Sequence, residues 1–369
     1  MTRTYDVIDA DGHVLEPPDL WSGPKYREEK FQDRAPRLVP GKNTFEWLLL
    51  SGKLFGNTET GLSRAGSVGV PRDQDMHYTD GRKGGFDPHA RIKDLDLDGI
   101  DAVFLYPTLG LLSGAIEEPD FAVAVGRAYN RWVADYCAPY PDRLFPVAML
   151  PMQSVEATVS EMRFARRELG MTAGFLRPNP YNNRLLSDPA YDPIWTEAQE
   201  LDMAIGFHEG TGGMPAVGID RVTGWTARHI VSHTMEMQIA SLNVIWGGVC
   251  ERFPKVRFGF LECGGGWMPS WLDRMDRHFL RGGAHGNEIL RMKPSDYFRR
   301  QCWISFEPIE STIKSSAELL GANKLLWATD YPHSDGFFPG APQMIAAQLP
   351  EAQRRGVLAQ GAIDFYKLT

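Results

Sequence analysis

Eight short runs of β-branched, aromatic and aliphatic residues alternate along the chain with stretches of helical periodicity, and this alternation constrains the fold more than any other feature. The runs are Tyr5–Asp9, Ala102–Tyr106, Leu144–Met149, Ala173–Leu176, Ala204–Phe207, Val256–Leu261, Cys302–Phe306 and Leu325–Ala328. Amphipathic stretches between them include Phe121–Cys137, Val155–Leu169, Pro193–Leu201 and Met235–Phe253, and a final helix starts at Pro350. Strands that alternate with helices predict parallel βα units. Eight units closed on themselves make a (β/α)8 barrel, an α/β fold that uses the whole of 1–369 as one domain. The alternative, an open doubly wound sheet, would need a glycine-rich phosphate loop after its first strand. The segment DADGHVLEPPDLW holds a single glycine, so the barrel is favoured.

One spacing breaks the pattern. About 75 residues separate the first strand from the helix that begins near Pro88, far more than the usual connection in a compact domain. Residues 14–88 carry many prolines and glycines among Trp21, Phe45, Trp47 and Phe55. A connection that leaves the C-terminal end of a barrel strand emerges at the mouth, where barrel active sites lie. The insert is therefore expected to form a lid or pocket wall, or else a surface used in dimer contact.

Composition removes several classes of function. The net charge is −8 with no basic stripe, against nucleic acid as a partner. No apolar run reaches the roughly 18–20 residues of a membrane span. The start, MTRTYDVIDADGH, does not read as a secretory signal, so a cytoplasmic location is expected. Cys137, Cys250, Cys263 and Cys302 form no CxxC pair, which leaves neither a disulfide framework nor a cysteine metal knuckle.

Residues just past the strand ends face the barrel mouth, and four of them suit a metal: Asp11 and His13 after the first strand, His208 after the fifth and Asp330 after the eighth. Positions i and i+2 of an extended segment face the same way, so Asp11 and His13 can reach one ion. Ligands arriving from separate strands can leave an open coordination position. Imidazole and carboxylate are ordinary ligands of Zn²⁺, Mn²⁺ or Fe²⁺. His229 and His233 have the i, i+4 spacing of a helical zinc pair, but Ile230 stands where such a helix carries its glutamate, so the pair is not read as a metal site. The glycines at 264–266 suggest a tight turn and close backbone approach, not phosphate binding.

The segments IDADGHVLEPPDLW, ARIKDLDLDGIDAVFLYPT, AYNRWVADYCAPYPDRLFPVAMLP, GGVCERFPKVRFGFLECGGGWMPSWLDRMD and WATDYPHSDG resemble the amidohydrolase superfamily. The similarity is to the branch typified by aminocarboxymuconate semialdehyde decarboxylase and related metal-dependent decarboxylases and hydrolases. It implies a (β/α)8 fold and one catalytic divalent metal, Zn²⁺ first, with Mn²⁺ or Fe²⁺ as alternatives. The first-strand motif maps to Asp11 and His13 in its acidic variant, with His208 and Asp330 completing the set. Arg177 stands where binuclear relatives carry a bridging lysine, which implies a single ion. Many relatives carry a proton-handling histidine after strand six; here Glu262, a catalytic candidate, and Cys263 occupy that segment, and His233, with Glu236 three residues on, could supply the missing proton carrier. Arg177, His333 and Glu236 are candidates for substrate binding, and the resemblance implies a homodimer.

Two reactions use these parts. In non-oxidative decarboxylation of a small aromatic or unsaturated acid, Asp330 would protonate the carbon that bears the carboxylate. In hydrolysis of an amide, lactone or ester, activated water would attack a carbonyl with Asp330 carrying its proton. Decarboxylation is preferred; hydration and a non-catalytic scaffold are lesser readings.

Overall fold

The structure, a computed structural model, describes residues 4–41, 46–56, 61–71, 74–212, 214–282 and 288–368. The chain begins with β1 (Ile8–His13), β2 (Arg37–Pro40), β3 (Glu46–Leu50), β4 (Lys53–Phe55), α1 (Lys83–Phe86) and α2 (Pro88–Asp98). It continues through β5 (Ala102–Tyr106), α3 (Pro119–Cys137), β6 (Leu144–Met149), α4 (Val155–Arg167), β7 (Ala173–Leu176), α5 (Asp192–Glu200), β8 (Ala204–Phe207) and α6 (Trp225–Ile245). The last third holds α7 (Val249–Arg252), β9 (Phe258–Phe260), α8 (Met268–Arg281), α9 (Pro294–Gln301), β10 (Cys302–Phe306), α10 (Ile313–Leu320) and β11 (Leu325–Trp327). It ends with α11 (Ala341–Gln348), α12 (Glu351–Arg355) and α13 (Gly361–Tyr366).

β1 and β5–β11 form one eight-stranded sheet in the order β1-β5-β6-β7-β8-β9-β10-β11, every ladder parallel. This is the expected (β/α)8 barrel. Its strands are buried on both faces, which explains why they read as nearly unbroken apolar runs. The last seam, between β11 and β1, is closed largely by a side chain: Asp9 accepts hydrogen bonds from Thr329 N (3.1 Å) and Thr329 Oγ1 (2.5 Å). His13 N donates to Tyr331 O at 2.7 Å and completes the junction.

Five of the eight strands have the bounds expected from sequence. The first differs: the strand covers Ile8–His13, not Tyr5–Asp9, because a bulge between Asp9 and Gly12 carries pairing with β5 through His13. Asp11 thus sits in the bulge of the strand and His13 on backbone paired with β5. The expected helix Met235–Phe253 is two helices, interrupted at Gly248, whose φ is 81°. Residues 14–88, expected from sequence to form a lid, a pocket wall or a dimer surface, contain a three-stranded antiparallel sheet, β2-β3-β4. Its β3–β4 hairpin turns on Ser51 and Gly52, both at positive φ as a two-residue hairpin loop requires. Among the described residues, no helix is long and apolar enough to cross a membrane.

Candidate metal centre

At the C-terminal mouth, side chains from β1 and from just past the ends of β8, β9 and β11 converge. His13 Nε2 lies 3.8 Å from Asp11 Oδ1 and 3.4 Å from Asp330 Oδ1. His208 Nε2 lies 3.6 Å from Asp11 Oδ2 and 2.9 Å from Glu262 Oε2. The four residues expected as ligands therefore meet, in two overlapping groups: Asp11, His13 and His208 in one, and His13, Asp330, Glu262 and His333 in the other. Glu262 joins them as a fifth candidate ligand. Sequence reasoning had assigned it proton chemistry only, and nothing local marks it as a ligand.

The arrangement fits a divalent cation on three physical grounds. First, His13 Nδ1 donates to Pro107 O (2.8 Å) and His208 Nδ1 donates to Glu209 O (2.6 Å). Each backbone carbonyl fixes a tautomer that aims the Nε2 lone pair inward, the usual support for a ligating imidazole. Second, Asp11 Oδ1, His13 Nε2, His208 Nε2, Glu262 Oε2 and Asp330 Oδ1 are buried without hydrogen-bond partners. Third, Asp11, Glu262 and Asp330 place three carboxylates in one buried cluster. Leaving one such charge uncompensated costs roughly 3–5 kcal/mol. Three would rival the whole stability of a domain, about 5–15 kcal/mol, so the cluster must hold protons or a cation.

Without a cation, protons take that place. Burial pushes the Asp11 carboxyl up to about 7, and burial together with Glu262 and Asp335 holds Asp330 well above the carboxylate range. Burial opposes charge on His208, but Asp11 and Glu262 outweigh it and push the imidazole up to about 10. His13 is held well below its ordinary value by burial and by the neighbouring His333 and His208. Asp330 and Glu262 both sit at positive φ, 52° and 43°, a backbone region uncommon outside glycine and concentrated at functional sites.

His333 is brought directly to Asp330, with Nδ1 2.6 Å from Oδ1. Thr108 Oγ1 donates to Val14 O (2.6 Å) and therefore accepts from His333 Nε2 (2.8 Å). His333 Nδ1 then presents its lone pair to Asp330. Glu16 anchors this relay, accepting from the backbone N–H groups of Thr108, Leu109 and Gly110 at 3.1, 2.9 and 2.9 Å. Arg91 Nη1 donates to His13 O (2.8 Å). Neither Glu16 nor Arg91 was singled out in the sequence, because their partners lie 78 or more positions away.

A cavity of about 160 Å³ opens beside these groups. Thr108, His229, His233, Glu262, His333 and Asp335 give it a polar side; Leu62, Leu111, Leu112 and Trp225 give it an apolar one. Gly56, Gly61, Leu62, Arg64 and Ala65 of the 14–88 segment line it. Of the sequence candidates, His233, Glu262 and His333 reach the cavity, whereas Arg177 and Glu236 are not among the residues lining it. Arg177 is buried in an ion pair with Glu209 (2.8 Å) and donates to Asn179, Leu111 O and Gly212 O. Glu236 accepts from Val217 N at 2.5 Å. Cys263, in place of the strand-six histidine, is buried and its thiol is pushed well up by that burial. The following glycines serve close packing: a Cβ on Gly265 would lie 2.2 Å from the Phe306 ring, and one on Gly266 2.3 Å from Thr312 Oγ1.

Fold and centre together define a (β/α)8 barrel with a carboxylate- and imidazole-lined cation position at its mouth. The family model described as Amidohydrolase matches residues 8–368, and the chain belongs to that family. The chain is 27% identical over 284 residues to the 2-amino-3-carboxymuconate-6-semialdehyde decarboxylase of Dictyostelium discoideum, which covers 77% of each protein. Among solved structures it is similar to an amidohydrolase from Mycobacterium avium subsp. paratuberculosis, with a TM-score of 0.81, 19% identity, and coverage of 99% of this chain and 98% of the other. A dihydroxybenzoic acid decarboxylase from Polaromonas, solved with bound manganese and the inhibitor 2-nitroresorcinol, has a TM-score of 0.68 at 18% identity, with coverage of 99% and 98%.

Proposed function

We propose that the protein is a metal-dependent non-oxidative decarboxylase of a small aromatic or unsaturated carboxylic acid. The observation that carries this reading is the approach of His333 Nδ1 to Asp330 Oδ1 at 2.6 Å, beside a cavity that has an apolar side and a cluster of unpartnered ligand atoms. The decarboxylase relatives support it over hydrolysis.

Asp11, His13, His208 and Asp330 would hold the cation, with Glu262 beside them. When bound, a divalent ion would bind the substrate's carboxylate and neighbouring hydroxyl and neutralise their charge. Three carboxylates beside two imidazoles suit a harder ion, so we propose Mn²⁺, the ion in the Polaromonas relative, in preference to the Zn²⁺ expected from sequence.

The chain's own residues then do the following. Leu62, Leu111, Leu112 and Trp225 hold the flat carbon skeleton and exclude water. Asp330 transfers its proton to the carbon that carries the carboxylate. The bond to the carboxylate carbon breaks, its electron pair returns to the conjugated system, and CO₂ departs. His333 and Thr108 orient Asp330 and hold the proton that recharges it. His233 faces the same space with Nε2 toward Glu262 (3.6 Å) and takes the second proton-handling role. Residues 14–88 act as the pocket wall. Arg177 works as a positioning residue through Glu209, whose carbonyl holds His208.

The test is to load the protein with Mn²⁺ and follow CO₂ release from a panel of hydroxybenzoates and muconate-type acids, alongside acid release from lactones and amides. CO₂ release from at least one acid is expected. Hydrolysis of a lactone or amide with no CO₂ from any acid would reverse the assignment.

A further inference from the structure

We propose that the part of the mouth formed by α6 and the turn after β9 carries a second divalent-cation site, formed by His229 Nε2, His233 Nε2 and Glu262 Oε1, so that Glu262 bridges two metal positions. Both imidazole nitrogens lie 3.6 Å from Glu262 Oε1. The three ligand atoms fall within 4.8 Å of one another. Such separations suit a common ion at about 2.0–2.2 Å from each donor after small rotamer adjustments.

Three features select a cation. The other oxygen of Glu262 is the one 2.9 Å from His208 Nε2, so a single carboxylate presents one oxygen to each cluster. His229 and His233 are one turn apart on α6 with ring centroids 4.0 Å apart, which points both rings into the same space. Ser232 Oγ lies 3.4 Å from His229 O and 3.1 Å from His233 Nδ1, so it can donate to the carbonyl and accept the Nδ1 proton. In that tautomer the His233 Nε2 lone pair faces a carboxylate oxygen 3.6 Å away, an acceptor facing an acceptor.

The surroundings are acidic. Asp335 Oδ2 lies 4.0 Å from His229 Nε2, and Glu307 stands nearby. Arg64 is the one Arg or Lys among the described residues that line the cavity, and its Nη1 and Nη2 donate to the carbonyls of Gln74, Val70 and Pro71. The cavity leaves room for water to complete the coordination. The glutamate that α6 lacks at Ile230 is thus supplied by the turn after β9. A cation here competes with the proton for His233 Nε2, so the site replaces that residue's proton-handling role when it is filled.

The inference rests on the proposed reading only through Glu262, and metal stoichiometry separates the two. Full-length protein, stripped by chelation, is titrated with Mn²⁺ and followed by calorimetry, metal analysis and electron paramagnetic resonance. Two equivalents and an exchange-coupled spectrum are expected. His229→Ala and His233→Ala should each retain one equivalent with an uncoupled spectrum, while Asp11→Asn should lose the other equivalent and keep this one. His229 is partly exposed, so its truncation leaves the core intact, which circular dichroism checks. One equivalent in the parent, unchanged in both histidine variants, overturns the second site and leaves the first standing. No bound ion at all overturns both.

Discussion

The two ends of the barrel handle charge in opposite ways. At the N-terminal end, charges are matched: Arg257 pairs with Asp202 and donates to Phe365 O (2.6 Å) and Asp202 O (3.0 Å), and Lys367 reaches both Asp202 oxygens at 2.6 and 2.7 Å. Asp101 Oδ2 accepts from the N–H groups of Asp6 and Val7 at 2.7 and 2.9 Å. At the C-terminal end, Asp11, Glu262 and Asp330 are buried with ligand atoms left unpartnered. The same strands run through both ends, so the difference is not one of fold. The bottom spends its polar groups on stability, whereas the top holds them in reserve for a cation and substrate, the division expected of this architecture.

The sharpest way to break this comparison is Asp330→Asn. Asparagine tolerates the positive φ at this position, so the backbone should hold. Turnover at saturating metal should fall by about 10³-fold or more, while the urea midpoint of the metal-free protein stays level or rises. Residual activity within tenfold of the parent would move the proton carrier elsewhere. The reverse experiment is Arg257→Ala, which should lower unfolding free energy by about 1–3 kcal/mol, less than a fully buried pair because Asp202 is half exposed. The turnover number of the folded fraction should not change, and a parallel loss of activity would show that the two ends are coupled.

A smaller effect separates the ends by pH. Burial pushes Asp202 up, but Lys367 and Arg257 outweigh it and hold the carboxyl below its ordinary value of 3.8. Its stabilisation is therefore present above that value and lost as pH falls through the lowered one. Glu307, at the top, is pushed up to about 7 by burial and by Glu262, Glu310 and Asp335. The folded state binds its proton more tightly than the unfolded chain does, so stability declines as pH rises from about 4.5 toward 7. In metal-stripped protein, Glu307→Gln should raise the melting temperature at pH 8 and leave it unchanged at pH 4.5. An equal effect at both values would exclude titration as the cause.

The barrel was legible because parallel strands buried on both faces must be written as short apolar runs, and Ala102–Tyr106, Leu144–Met149 and Cys302–Phe306 match such runs residue for residue. The first strand was misplaced because Asp9, Asp11 and His13 interrupt its apolar pattern, and the bulge that accommodates them leaves no mark in composition. The hairpin of β3 and β4 was missed although Ser51-Gly52 is a turn signal, since the proline-rich segment around it obscured the alternation. Arg177 reads in sequence either as a binder of a substrate carboxylate or as half of a structural salt bridge; only Glu209, brought beside it by the fold, shows the salt bridge.

The sequence by itself determined the alternation of elements and the kinds of ligand at the strand ends, because local periodicity and residue chemistry are properties of neighbours along the chain. Tertiary structure alone decided that Glu262 stands between His208 on one side and His229 and His233 on the other, and that His333 meets Asp330. Those relations depend on the closure of the barrel, which brings groups from distant strands within a few ångströms in a space where an unpaired charge is costly.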